Sequence, residues 1–105
     1  MAITQLQPAN VLGQKIAQEF CEYKRWMKKQ TKQYILDHAY EIDSMISFYE
    51  NLMEIIRTLP EEYIVKAIKH PNILRTCYED WLKKDDNITQ QQIDSIYETL
   101  FKLPE

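Results

Sequence analysis

The sequence predicts an all-α protein, a compact bundle of about five short-to-medium antiparallel helices. Three observations carry this. Apolar residues recur at steps of three and four along most of the chain, as in Leu12, Ile16, Phe20, Tyr23 and Met27, which marks one face of a helix. No run of β-branched residues alternates with polar ones, so no strand is predicted. The connections between periodic segments span only a few residues, which favours adjacent antiparallel helices.

Residues 1–9 are polar, contain Pro8 and have no period; they read as a flexible N-terminal arm ahead of a single helical domain over 10–105. Asn10 is a candidate N-cap for a first helix of about 11–30, with Gly13 in its first turn, where a glycine costs least. Thr31 is the next candidate cap. From Lys32 the rhythm resumes through Ile35, Leu36, Ala39, Ile42, Ile46, Tyr49, Leu52 and Met53. Asp43-Ser44 interrupts it with residues that compete for backbone hydrogen bonds, so a kink or split is expected there.

Thr58-Leu59-Pro60-Glu61 reads as a capping box opening a short third helix over about 59–69, with Tyr63, Ile64, Ala67 and Ile68 inward. Pro71 stops it and opens a fourth helix over about 71–83, with Ile73, Leu74, Cys77, Tyr78, Trp81 and Leu82 as its apolar set. Lys83-Lys84 suit that helix's C-terminus, and Asp85-Asp86-Asn87 make the turn. Thr89 to Gln92 form a second capping box for a fifth helix over about 89–102, lined inward by Ile93, Ile96, Tyr97, Leu100 and Phe101.

Composition bounds the function classes. At 45% hydrophobic and 28% charged residues the chain is globular rather than disordered. No stretch is apolar enough to span a membrane, the start carries no basic, apolar leader, and Ala2 stands where myristoylation needs a glycine. Cytoplasmic localisation is expected. Cys21 and Cys77 have no CxxC neighbour and read as buried reduced thiols. A single Gly argues against a phosphate-cradling loop, and no nucleophile elbow, HExxH or Walker motif is present, so no enzyme, catalytic residue or cofactor is predicted. Asp37, His38 and Glu41 supply at most a pair of neighbouring ligands, too few for a metal centre, and His70 reads as a linker residue.

Charge is distributed unevenly. Residues 1–40 hold six basic and three acidic residues, and 41–105 hold seven basic and thirteen acidic. The densest basic feature is Lys24-Arg25-Trp26-Met27-Lys28-Lys29, followed by Lys32. Lys24, Lys28 and Lys32 share one helical stripe, and Arg25 and Lys29 the next. An aromatic among cations suits an acidic protein surface or a phosphate backbone; a solvated helix end is the plain alternative. Trp26 lies off the apolar stripe, either as an exposed contact or as a widening of the buried face, whereas Trp81 reads as core. Of seven tyrosines, Tyr34 and Tyr40 are the best exposed candidates. Glu61, Glu62, Glu79 and Asp80 are the acidic candidates for a partner, an acidic face that mimics nucleic acid toward a basic channel.

Ile35-Leu36-Asp37-His38-Ala39-Tyr40-Glu41, Asp43 with Met45-Ile46, Leu59-Pro60, Pro71 and Tyr78-Glu79-Asp80-Trp81-Leu82-Lys83-Lys84 together resemble a family known as domain of unknown function 3848. These are small helical proteins of phages and mobile elements in Firmicutes. The resemblance covers roughly residues 18–100, with Tyr49–Arg57 more apolar and longer than the family pattern. It assigns no catalytic residue. It implies a context in which small proteins bind a host protein, as an anti-CRISPR inhibitor blocks a Cas effector.

Three functions follow as expectations. The first is a non-enzymatic protein-binding module, in its narrower form an inhibitor of host defence. The second is a nucleic-acid-binding regulator using Lys24, Arg25, Lys28, Lys29 and Lys32. The third is a homodimeric structural module, joined through surplus apolar area at Met45, Phe48, Leu52, Met53 and Ile56.

Overall fold

A computed structural model describes residues 7–83 and 91–104. Six helices are present among them and no strand: α1 (Pro8–Lys28), α2 (Lys32–Asp37), α3 (Ala39–Ile55), α4 (Glu61–Lys69), α5 (Ile73–Leu82) and α6 (Gln91–Phe101). The all-α bundle read from the sequence is the fold observed, with one helix more than expected.

Helix α1 begins earlier than the sequence suggests. Pro8 occupies its first position, where the missing N–H costs nothing, and the Gln7 carbonyl accepts from Asn10 and Val11. Asn10 is therefore inside the helix and does not cap it, and Ala9 packs against the core rather than belonging to an arm. Residues 1–6 of the expected arm lie outside the described residues. Gly13 sits well inside α1, not in its first turn.

The expected break at Asp43 falls at His38 instead. His38 ends α2 and starts α3 with φ −112° and ψ 21°, and its ring nitrogen Nδ1 and backbone N–H both meet the Tyr34 carbonyl, at 2.8 and 3.0 Å. That local closure draws the chain back on α2. Asp43 is exposed within α3, where an aspartate costs only a few tenths of a kcal/mol. Thr31 caps α2 as expected, accepting from the Tyr34 N–H at 3.0 Å.

Two further boundaries differ. The capping box at Thr58 does not form: Pro60 stands at the N-cap of α4, and Thr58 Oγ1 faces the Ile55 carbonyl. Leu59 is buried, which draws residues 58–59 away from the helix axis. Asn72, not Pro71, opens α5, its side chain accepting from the Arg75 N–H at 3.1 Å. The predicted turn at Asp85-Asp86-Asn87, Lys84 and the capping box at Thr89 lie outside the described residues.

Helix α3 is central. It packs on α1, α5 and α6, while α4 lies on α1 and α6. Phe48 and Leu52 are fully enclosed, and the Phe48 ring meets Tyr78 and Trp81 edge-on, at 5.9 and 5.4 Å between centroids. The five residues expected at a two-fold interface belong to this core: Met45, Phe48, Leu52 and Ile56 are buried and Met53 packs against them. The apolar sector of α3 is broad, opposite exposed Asp43, Glu50 and Glu54, and the surplus seen in the sequence is consumed by neighbours on three sides. Ala39 and Ile46 of α3 and Leu36 of α2, expected inward, are exposed.

Helix α6 is rotated from the expected phase. Ile96 and Leu100 are buried, but Ile93 and Phe101 are half exposed, and Gln92, Ser95 and Thr99 face inward. Two of those polar groups have internal partners: Thr99 donates to Asp80 at 2.9 Å, and Asn51 donates to Gln92 at 3.4 Å. Leu82, expected inward on α5, is exposed, while Trp81 is enclosed as predicted.

Candidate functional site

The basic feature of the sequence becomes the elbow between α1 and α2. Lys24, Arg25, Trp26 and Lys28 form the last turn of α1, Lys29 is its C-cap, and Lys32 opens α2. The turn closes through Lys29 N–H to the Trp26 carbonyl and Gln30 N–H to the Met27 carbonyl, and the Gln30 side chain adds a second donor to Trp26 O at 3.0 Å. Lys32 therefore does not continue the α1 stripe: a new helix has begun and changes its direction.

All five cations are exposed, and among the described residues none pairs with a carboxylate. Lys24 Nζ lies 5.0 Å from the Phe20 ring, itself stacked on Tyr49. Lys28 and Lys29 benefit from the negative end of the α1 dipole. Lys32 stands at a positive helix end and gains nothing there, so helix stability does not account for the whole cluster.

Trp26 is 44% exposed. Its ring meets Tyr34 edge-on at 5.7 Å, and Tyr34 stacks on His38 at 3.8 Å, an aromatic row that braces the elbow. Of the two tyrosines expected at the surface, Tyr40 is exposed, at 69%, whereas Tyr34 is half-buried in this row. Leu36 is equally exposed at 69%.

Beside Trp26 lies a cleft of about 170 Å³ between α1, α3 and α5. Tyr23, Met45 and Leu74 supply apolar lining, and Glu22 and Arg75 line it as well. Glu19, also in its wall, is occupied: it pairs with Lys15 and accepts the Leu74 N–H at 2.9 Å. Tyr23 donates to Glu41 at 2.9 Å, and burial together with that carboxylate pushes its hydroxyl well above the usual tyrosine value. Arg75 comes to the cleft from the far side of the sequence, and nothing in the local pattern around it points there.

The four acidic candidates do not form one face. Glu61 and Glu62 are exposed in the first turn of α4, where anions favour the helix. Ile56, shortly before α4, lies against Gly13, so this pair sits toward the N-terminal end of α1, away from the elbow. Glu79 pairs with Arg75 at 3.4 Å, and Asp80 accepts from Thr99. Of the proposed mimic, Asp80 is engaged within the fold and Glu79 in an exposed ion pair.

Other candidates resolve simply. Cys21 is exposed, against the expectation of a buried thiol; Cys77 is enclosed, and burial raises its thiol far above the ordinary range. Asp37 accepts from Gln33 at 2.8 Å and Glu41 from Tyr23, so neither converges with His38, and no metal-holding group of three occurs among the described residues. His70 caps the end of α4 in the turn to α5. No described helix is long and apolar enough to cross a membrane. No family model matches the chain, and neither a curated protein nor a solved structure matches it.

Proposed function

We propose that this chain is a non-enzymatic binding module that masks a surface of a partner protein through the α1–α2 elbow. One observation carries the reading: five exposed cations, none with a carboxylate partner among the described residues, are grouped around a half-exposed tryptophan. Tryptophan and arginine are the side chains most often found to dominate a protein interface, and unpaired like charges repel unless something opposite covers them. The narrower form, suggested by the resemblance to a phage and mobile-element family, is an inhibitor of host defence acting on a Cas effector in the cytoplasm.

The test is affinity capture by the tagged protein from host extract and from a panel of Cas effectors, alongside an Arg25→Glu/Lys29→Glu variant. A stoichiometric partner kept by the wild type and lost by the variant supports the reading; capture of nothing overturns it. A second reading, nucleic-acid binding, is favoured by the position of Trp26 among the cations. It predicts affinity for single strands that falls steeply with salt. Failure to bind at low salt removes it.

A further inference from the structure

We draw no further inference here: the strongest candidate, the apolar surface stripe of Ile93, Tyr97 and Phe101 along α6, continued by the Tyr63 ring on α4, is an unpartnered helix face, and nothing in the structure shows what covers it.

Discussion

The carboxylate of Glu19, in the middle of α1, accepts the backbone N–H of Leu74 in the first turn of α5 at 2.9 Å. The first N–H groups of a helix have no partner within it, and at α5 two are satisfied: Asn72 takes that of Arg75 locally, and Glu19 takes that of Leu74 across the bundle. Glu19 is buried, and Lys15 offsets its charge from one turn earlier. This carboxylate fixes where α5 docks, and with it the wall of the cleft beside Trp26.

Glu19→Ala leaves a buried N–H unsatisfied and Lys15 without a partner. A loss of about 2–3 kcal/mol in unfolding free energy is expected, measured by urea denaturation. Glu19→Gln keeps an acceptor in place and costs about half as much. Equal losses for the two variants would show that packing, not the hydrogen bond, accounts for the effect.

Gly13→Ala stabilises the protein by about 0.5–1 kcal/mol. Gly13 lies in the interior of α1, where glycine is about 1 kcal/mol worse than alanine. A Cβ there meets Ile56 Cδ1 and Met53 Cε at 3.5 Å each, an ordinary contact. It also fills part of a groove of about 430 Å³ between α1 and the end of α3. A lower urea midpoint for the variant would contradict this.

Helix existence was legible in the sequence and helix phase was not, for a physical reason. Periodicity reports that one face is apolar; it reports which face only when the other is polar. In α1 the predicted face stands against charged neighbours: Leu12, Ile16, Tyr23 and Met27 are buried as predicted, and Phe20 is half-buried. In α3 the apolar residues cover a broad sector opposite exposed Asp43, Glu50 and Glu54, so its edges are undecided by pattern, and the choice of Met45 and Phe48 inward and Ile46 outward belongs to the packing of α1, α5 and α6. The basic elbow could be named from sequence because its members are neighbours. The cleft could not, because Arg75, Leu74 and Met45 reach Trp26 only through that packing.

Ser95→Ala is neutral or stabilising by up to about 1 kcal/mol, although the side chain is almost fully enclosed. Among the described residues nothing hydrogen-bonds the Ser95 hydroxyl, and alanine is the better helix former. Denaturation midpoints of wild type and variant decide it. A clear loss of stability would mean that the hydroxyl is satisfied in solution.

Thiol labelling separates the two cysteines. Cys21 is exposed and reacts promptly with an aromatic disulfide reagent at neutral pH. Cys77 is enclosed, with its thiol held protonated, and reacts only through opening of the fold. Two phases of equal amplitude are expected, the slow one accelerating with urea. A single fast phase for both thiols would place Cys77 at the surface.

Stability falls on the alkaline side. Cys77, Tyr23 and Tyr78 all have raised proton affinities in the folded state, with burial as the leading cause and nearby carboxylates adding to it. The unfolded thiol ionises near pH 8.5 and the unfolded phenols near pH 10, on ordinary values. Above each of these the unfolded chain releases a proton that the folded chain keeps, so unfolding is favoured by about 1.4 kcal/mol per pH unit for each group. The loss continues until the folded group itself ionises. Urea unfolding should therefore be insensitive to these groups at neutral pH and steepen with pH from about 8.5 upward. Tyr23→Phe removes one of the three and lowers the slope above about pH 10 by one proton. It also costs about 1 kcal/mol at neutral pH, because Glu41 loses its donor. An identical alkaline slope in the wild type and this variant would show that Tyr23 ionises alike in both states, and would remove burial as the cause.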